Sequence, residues 1–396
     1  MKPIPYGRQT ISQEDIDAVS TSLQSDYLTQ GPTISAFESA FSAYIDSQYA
    51  VAVSNGTAAL HLSVLALGLK PGQKVLTSSL TFVASANCVQ YAGAEVDFVD
   101  IDPKSYLISL ELLEAKLASV PKGTYAGIIP VDFAGLAVDL EKLKEIAVKY
   151  NCWILEDSCH SPGGYFIDSK GEKQNCGNGN YADLAIFSFH PVKHIATGEG
   201  GMICTNNKAL YEKLMSLRSH GISRDETKFK NSIQEAGGNP GDLNYPAWYM
   251  EMQDLGYNYR LTDLQAALGL SQLKSAAKRL DKRKQIAETY YEAFKNEDFV
   301  CNLSPANPGH AYHLYVIQVS KRLELYNFLR SKNIFAQIHY FPCHLMPYYQ
   351  EKGWKVGMLK NVEEYYKGCI SLPMFPGLEE AEQQYVISSI KEFYQK

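Results

Sequence analysis

The chain lacks an excess of positive charge, a long unbroken apolar run and any pair of cysteines at C-x-x-C spacing. A net charge of −6 argues against nucleic acid as a principal partner. The longest apolar stretch, residues 50–69, is interrupted by polar residues, and the opening residues MKPIP lack the apolar core of a signal peptide. Eight cysteines without paired spacing are typical of reduced thiols. We therefore expect a cytoplasmic protein with no membrane segment.

Metal-ligand and dinucleotide motifs are also weak. The only metal-like cluster in the sequence is His339 with Cys343 and His344, which is too few ligands to predict a metal site. Residues 177–182, GNGNYA, nearly match a dinucleotide-binding fingerprint. A true fingerprint follows a strand and opens a helix, whereas polar residues precede this one and a strand-like run follows it. We interpret it as a turn, which disfavours an NAD-dependent enzyme.

Strand-like and helical patterns alternate over most of the chain. Strand-like runs fall near residues 74–77, 95–99, 126–131, 152–155 and 184–189, and helical patterns include 110–118 and 140–150. This order predicts an α/β fold with a mostly parallel sheet covered by helices on both faces. Later, the pattern becomes a long broken helix, a strand and a helix, at residues 261–295, 312–319 and 323–331. We therefore predict a large domain at 1–254 and a smaller α/β domain at 255–396.

The most informative stretch is residues 187–201, FSFHPVKHIATGEGG. A strand-like run leads into Ser188, Lys193 and a cluster of glycines. Burial at such a position lowers the pKa of a lysine, and a neutral amine can form a Schiff base with a carbonyl compound. The hydroxyl of Ser188 is suited to bind phosphate. On this stretch alone, a solvated loop lysine remains the alternative interpretation.

Three other stretches agree with a ligand site. Residues 54–60, SNGTAAL, place cap-type residues at the start of a helical pattern, where free N–H groups bind anions. Residues 152–160, CWILEDSCH, carry a strand to an acid pair that includes Asp157. Open α/β sheets bind ligands at such strand ends. Residues 79–84, SLTFVA, place Phe82 at a third strand exit. Alone, the first stretch is at least as typical of an ordinary capped helix, Asp157 is equally typical of a helix cap, and Phe82 is more typical of a core aromatic.

Together these motifs resemble those of the DegT/DnrJ/EryC1/StrS sugar aminotransferases, a fold-type I family that uses pyridoxal 5′-phosphate (PLP). The resemblance runs nearly end to end, from residues 6–9, YGRQ, through 255–263, LGYNYRLTD, to 371–377, SLPMFPG. Within the family, residues 82–88 and 218–225 make the chain most similar to the aminotransferases of pseudaminic acid synthesis. Those enzymes form UDP-4-amino-4,6-dideoxy-N-acetyl-β-L-altrosamine.

The resemblance assigns a role to each candidate residue. It implies that Lys193 binds the cofactor covalently and moves a proton, that Asp157 pairs with the pyridine nitrogen, and that His160 lies near the phenolic oxygen. The remaining cofactor contacts that it implies are Thr57, the backbone of Ala58 and Ser188 at the phosphate, Phe82 stacked on the ring, and Asn258 reaching the phosphate of a neighbouring subunit. An active site shared in this way implies an obligate homodimer. The implied contacts to the sugar nucleotide are Tyr6, Thr29, Gln30, His339 and Tyr340.

The implied reaction moves an amino group from L-glutamate to C4 of a UDP-4-keto-6-deoxy-N-acetylhexosamine, UDP-2-acetamido-2,6-dideoxy-β-L-arabino-hex-4-ulose. The alternatives are an aminotransferase that acts on another 4-keto nucleotide sugar, such as a dTDP-linked one, and a non-catalytic sensor that binds PLP. The sequence leaves open the stereochemistry of the hexose and the roles of Asp132 and His194. It also leaves open whether residues 225–254 cover the site or form a surface loop.

Overall fold

The computed structural model describes residues 2–303 and 306–395. Residues 1, 304, 305 and 396 belong to the two predicted domains and lie outside the described residues. The strands are β1 (Ile4–Pro5), β2 (Tyr49–Val53), β3 (Lys74–Ser78), β4 (Glu95–Val99), β5 (Tyr125–Ile129), β6 (Trp153–Asp157), β7 (Tyr165–Ile167), β8 (Lys173–Asn175), β9 (Leu184–Ser188), β10 (Gly201–Thr205), β11 (Ile222–Ser223), β12 (Glu251–Met252), β13 (Val300–Asn302), β14 (Tyr315–Val319), β15 (Ile334–Phe335) and β16 (Cys369–Leu372).

The helices alternate with these strands over the first half of the chain. They are α1 (Gln13–Leu23), α2 (Pro32–Ile45), α3 (Gly56–Ala66), α4 (Ala84–Tyr91), α5 (Leu110–Ala118), α6 (Leu140–Tyr150), α7 (Lys208–Arg218), α8 (Asp263–Lys274), α9 (Ala276–Phe294), α10 (Arg322–Ser331), α11 (Pro347–Gln350), α12 (Lys360–Gly368) and α13 (Glu380–Gln395). Short 3₁₀ turns lie at Phe133–Gly135, Glu226–Lys228 and Cys343–Leu345. Within the described ranges, no helix combines the length and the apolar character that crossing a membrane requires.

The main sheet of the described chain has seven strands in the order β2-β10-β9-β6-β5-β3-β4. Strands β9, β6, β5, β3 and β4 are parallel to one another, and β10 is antiparallel to both of its neighbours. The central strands are almost fully buried, as is typical of a parallel sheet with helices on both faces. The predicted α/β fold with a mostly parallel sheet is confirmed.

A second hydrophobic core surrounds the three-stranded antiparallel sheet β13-β14-β16. Helices α9, α10 and α13 supply buried side chains to it, including Ile286, Leu325 and Val386. The N-terminal strand β1 joins this core, because Ile4 pairs with Ile334 of β15. Helix α8 instead packs against α1 and α2. The division of the chain between residues 254 and 255 stays a prediction.

The topology brings four chain segments to one edge of the main sheet. Strands β2, β3, β6 and β9 point the same way, so their carboxyl ends meet at this edge. Strand β10 starts there, where Gly201 pairs with Val53 and Ser188. A Cβ at Gly201 would lie 2.6 Å from the carbonyl oxygen of Asn55. Only glycine therefore allows the turn that follows β2 to lie this close to β10.

Candidate active site

A cavity of about 470 Å³ opens at this edge of the sheet. Most of the predicted site residues line it, although they come from distant parts of the chain. These residues are Tyr6, Thr57, Phe82, Asp157, His160, Ser188, Lys193, His339 and Tyr340. The fold thus places most of the predicted site residues around one cavity, whose volume is typical of a cofactor-binding site.

Four predicted contacts do not line the cavity. Thr29 and Gln30 are exposed, and Thr29 forms a bridge with Thr262. Asn258 is exposed and forms a bridge with Ser219. The backbone N–H of Ala58 donates to Asn55 Oδ1 at 2.8 Å, so it already has a partner within the chain. The roles predicted for these four residues stay predictions.

Lys193 lies in the turn that follows β9, where its backbone N–H donates to the carbonyl of His190 at 2.8 Å. Its amine reaches the cavity, and Nζ lies 3.4 Å from Nε2 of His313. Burial lowers the pKa of Lys193, although the nearby carboxylate of Asp157 acts in the opposite direction. A larger fraction of this amine is therefore neutral near pH 7 than in an exposed lysine, which favours nucleophilic attack.

The carboxylate of Asp157 ends strand β6 and accepts a hydrogen bond on each oxygen. Ser85 Oγ donates to Oδ2 at 2.6 Å, and the backbone N–H of Cys159 donates to Oδ1 at 3.2 Å. The Oγ1 of Thr81 lies 2.7 Å from Ser85 Oγ. Since Ser85 gives its only proton to Asp157, Thr81 must donate to Ser85. Two hydroxyls thus hold a buried carboxylate in one orientation at the cavity wall.

The amino end of helix α3 forms another part of the wall. Asn55 caps the helix, and Gly56 and Thr57 of its first turn face the cavity together with Ser188. A Cβ at Gly56 would lie 3.1 Å from Cβ of Ser188, so glycine keeps the space between the helix and strand β9 open. A helix amino end with two adjacent hydroxyls provides the donors that a phosphate group requires.

His160 and His339, two histidines that line the cavity, are neutral. Burial, followed by the charge of Lys193, lowers the pKa of His160 well below its ordinary value and that of His339 to about 3. The backbone N–H of Ala134 donates to Nδ1 of His160 at 3.3 Å, so the proton of this neutral ring lies on Nε2. That nitrogen lies 3.3 Å from the hydroxyl of Tyr340, to which it donates. His160 therefore brings no charge to the cavity, and its one N–H is directed at the hydroxyl of Tyr340, another residue that lines the cavity.

Asp132, whose role the sequence left open, lies outside the cavity lining in a buried cluster with Glu156 and Cys176. Its carboxylate accepts from Ser161 Oγ at 2.6 Å and from the backbone N–H of Val138 at 2.9 Å. Burial raises the pKa of both Asp132 and Glu156, and the charge of Asp132 raises that of Glu156 further. The raised pKa values favour a protonated carboxyl group in this pair, which can donate to the other carboxylate. We therefore assign Asp132 to support of the strand ends.

His194, the other residue left open, is buried directly behind Lys193. Its Nε2 donates to the carbonyl of Ala311 at 2.8 Å, so it joins the turn after β9 to the segment before β14. Residues 225–254 contain little regular structure beyond β12 and one 3₁₀ turn. They expose large apolar side chains, including Leu243, Trp248 and Met250.

A sequence model of the DegT/DnrJ/EryC1/StrS aminotransferase family matches residues 9–391. The chain belongs to this family. It is 35% identical to the UDP-4-amino-4,6-dideoxy-N-acetyl-beta-L-altrosamine transaminase of Campylobacter jejuni serotype O:23/36, with 99% of this chain and 98% of the relative covered. It is 34% identical to the spore coat polysaccharide biosynthesis protein SpsC of Bacillus subtilis, with 98% and 96% covered.

Solved structures of family members have the same fold. Helicobacter pylori PseC, an aminotransferase involved in the biosynthesis of pseudoaminic acid, is 29% identical and matches over the whole of both chains with a TM-score of 0.85. A DegT/DnrJ/EryC1/StrS aminotransferase from Brucella abortus is 31% identical, with 97% and 96% covered and a TM-score of 0.83. The family and these structures establish the chain as a PLP-dependent sugar aminotransferase.

The cavity residues of this aminotransferase fit PLP. The cofactor carries an aldehyde, a basic pyridine nitrogen and a phosphate, and the cavity offers an amine, a carboxylate and an anion cradle with no side chain at Gly56. Lys193, Asp157 and the pair Thr57 and Ser188 would hold these three groups. When bound, PLP supplies a protonated ring that withdraws electrons from the amine-bearing carbon.

Several cavity or wall residues were not predicted as site residues, and four of them carry polar groups close to Lys193 or Asp157 or in the cavity wall. Glu199 and Cys159 line the cavity, Ser85 bonds Asp157, and His313 contacts Lys193. Burial, followed by the charge of Asp157, raises the pKa of Cys159 well above its ordinary value, so it remains a thiol. Ser85 and Cys159 lie in the sequence segments 82–88 and 152–160, and their proximity to Phe82 and Asp157 along the chain is a signal that could have found them. His313 lies 120 residues from Lys193, and no sequence motif links the two.

Proposed function

We propose that this enzyme transfers the amino group of L-glutamate to C4 of UDP-2-acetamido-2,6-dideoxy-β-L-arabino-hex-4-ulose, in the synthesis of pseudaminic acid. The observation that carries the proposal is the position of the Lys193 amine, the Asp157 carboxylate and the α3 anion cradle around one cavity. The choice of a UDP-linked sugar is supported by the two relatives from Campylobacter jejuni, at 35% and 33% identity.

In this proposal each side chain of the cavity has a role that follows from its chemistry. Lys193 bonds the cofactor through Nζ and, once displaced by the amino donor, takes up and returns a proton at the same atom. Asp157 accepts the N–H of the pyridine ring. Because both of its oxygens are already held by donors, its orientation is fixed before the cofactor binds. His160 donates from the Nε2 side, and Phe82, which is 58% exposed, offers a ring face for stacking.

The sugar nucleotide is proposed to occupy the side of the cavity formed by Tyr6, His339 and Tyr340. The rings of Tyr6 and His339 lie 5.1 Å apart, and those of His339 and Tyr340 lie 4.9 Å apart. Nδ1 of His339 is 2.9 Å from Ser371 Oγ, which fixes the imidazole. Aromatic faces with polar edges suit a sugar and a pyrimidine base. Thr29 and Gln30 remain proposed contacts.

The active form is proposed to be a homodimer in the cytoplasm. Asn258 is exposed and lies outside the cavity of its own chain, as a residue that serves a partner's phosphate would. All eight cysteines are free, which agrees with a reducing compartment. Mixing inactive Lys193→Ala and Asn258→Ala chains tests the shared site, because one site of each mixed dimer then has both residues intact. Recovery of roughly a quarter of the activity is expected from random pairing. No recovery after verified exchange of subunits would contradict the shared site.

The substrate is tested by offering purified enzyme a panel of 4-keto nucleotide sugars, both UDP- and dTDP-linked, with glutamate as donor. We expect amination of the UDP-linked 6-deoxy-N-acetyl sugar, with the configuration at C4 read by NMR. Turnover of dTDP sugars without turnover of the UDP sugar would refute the proposed substrate. Borohydride reduction, followed by peptide mapping, should place the pyridoxyl label on Lys193. A label on any other peptide would refute the proposed role of that lysine.

A further inference from the structure

Among the described residues, His313 alone places a side-chain atom within hydrogen-bond distance of the Lys193 amine, with 3.4 Å between Nε2 and Nζ. It precedes strand β14 and is 4% exposed. Its other ring nitrogen, Nδ1, is buried and has no hydrogen-bond partner within the described part of the chain. A buried polar atom without a partner costs stability, and an apolar ring would fill the same space without that cost. Packing alone therefore does not account for a histidine here.

The surroundings fix this imidazole. The fully buried Arg283 donates from Nη1 to the carbonyls of Tyr312, His313 and Met374 at 3.1, 3.3 and 3.0 Å. These bonds anchor the backbone on which the ring is carried. The ring of His160 lies against it, with 4.3 Å between the centroids. The imidazole thus has a fixed position, and its Nε2 edge is directed at the lysine.

His313 is also uncharged. Burial, followed by the charge of Lys193, lowers its pKa well below the ordinary value. A neutral imidazole has one nitrogen with a free lone pair, which can accept an N–H from an amine or an ammonium group. A charged neighbour at this distance would change the charge of the amine, whereas a neutral acceptor orients it.

We propose that His313 is a positioning residue for Lys193, accepting an N–H of the amine at Nε2 and holding it toward the cavity whenever the amine is not bonded to the cofactor. The proposal rests on the role of Lys193 in the proposed function. No bond to carbon forms or breaks at His313. A proton taken up by Nζ stays on Nζ, where it is shared with Nε2 through the hydrogen bond and returned from the same place.

The two variants at position 313 must leave the other titratable groups near Lys193 unchanged. The charged or titratable groups that surround the amine from the packed elements are Asp157, Cys159, His160, His194, Arg283, His313 and His339. Two amide substitutions at position 313 leave all the others in place. In His313→Gln the amide oxygen can occupy the position of Nε2, whereas in His313→Asn the shorter amide reaches only the position of Nδ1.

The experiment combines turnover with a chemical titration of Lys193. We expect His313→Gln to keep kcat within about threefold of wild type, and His313→Asn to lower kcat about 10- to 100-fold, as the loss of a bond to a charged group would, with KM nearly unchanged. In full-length protein freed of cofactor, competitive acetylation of Lys193 across pH gives its titration curve. Loss of the acceptor in His313→Asn should move that curve to lower pH, while His313→Gln follows wild type.

A neighbouring substitution separates this effect from a general loss of packing. His194→Asn removes the hydrogen bond to Ala311 and should lower the unfolding temperature without moving the acetylation curve of Lys193. An acetylation curve that is unchanged in His313→Asn, or equal losses of kcat in His313→Asn and His313→Gln, would overturn the proposal. Because acetylation requires neither cofactor nor sugar, its outcome is independent of the substrate. Failure of wild-type enzyme to aminate any UDP sugar would instead refute the proposed function.

Discussion

Replacing Asp157 by asparagine should abolish most catalysis while leaving the fold in place. The two carboxylate oxygens accept from Ser85 Oγ at 2.6 Å and from the Cys159 N–H at 3.2 Å. An asparagine can keep its oxygen toward Cys159 and turn its amide nitrogen toward Ser85. The Ser85 hydroxyl can then donate to the carbonyl of Phe82, which lies 3.4 Å away. The substitution therefore leaves both the Ser85 hydroxyl and the Cys159 N–H with an acceptor.

The expected loss of folding stability is small, whereas the expected loss of catalytic rate is large. Exchanging a hydrogen bond to a charged group for a neutral one costs about 1 kcal/mol of folding stability, and the removal of a buried charge offsets part of that. An amide cannot keep the pyridine nitrogen of the cofactor protonated. Loss of one preorganised electrostatic group at a reacting centre lowers kcat by about 10²- to 10³-fold. We expect a loss of this size for Asp157→Asn.

Rapid mixing of the PLP-loaded variant with glutamate, followed by absorbance, measures the first half-reaction alone. Borohydride labelling of Lys193 should persist, because Asp157 does not bond that amine. Ser85→Ala is the matched control, since it removes one hydrogen bond but keeps the carboxylate, and it should lower the rate less than about tenfold. The reasoning is wrong if Asp157→Asn reacts within tenfold of wild type, or if it fails to fold while Ser85→Ala folds.

Two further predictions concern stability. His339 has a pKa of about 3 when folded, because it is buried, so the unfolded chain binds its proton more readily. The free energy of unfolding should therefore fall as pH drops from about 6.5 to 5, by about 1.4 kcal/mol per pH unit for this group. Urea titrations at several pH values should show that the free energy of unfolding of His339→Gln depends on pH less steeply than that of wild type, by the same amount. Glu38 pairs with buried Arg218 at 2.5 Å, so Glu38→Ala should lower the free energy of unfolding by about 3–5 kcal/mol in the same assay. The control is Glu364→Ala at the exposed pair with Lys367, which should lower it by less than about 1 kcal/mol.

Much of the fold could be predicted, because its elements carry local signals. Helices α5 and α6 begin after Ser109 and Asp139, and the predicted ranges match because these side chains cap the helices. Strand β14 begins at Tyr315 and not at residue 312, because Tyr312 has a φ of 49° and turns the chain. Strand β10 was not among the predicted strands. Its first residue is one of a run of glycines, and its place depends on pairing with β2 and β9.

The site residues that lie at the carboxyl ends of strands could be predicted from the sequence. Asp157 and Ser188 end strands β6 and β9, and parallel strands bring their carboxyl ends to one edge whatever else the chain does. Thr29 and Gln30 have no such constraint, and the structure leaves them exposed. His313 belongs to the segment before β14, whose position depends on how the second core packs against the main sheet. Local sequence carries no information about that packing.

The group beside Lys193 has to meet two opposing requirements. A carboxylate 3.4 Å from Nζ would favour the ammonium form and make the amine a poor nucleophile, and a second lysine would repel the ammonium that proton uptake creates. A buried imidazole avoids both problems, because it stays neutral and still accepts a hydrogen bond. His160 and His339 are also neutral, so they add little charge of their own around the amine. The electrostatic environment of Lys193 is then set mainly by burial and by Asp157, which leaves the amine reactive and its position controlled.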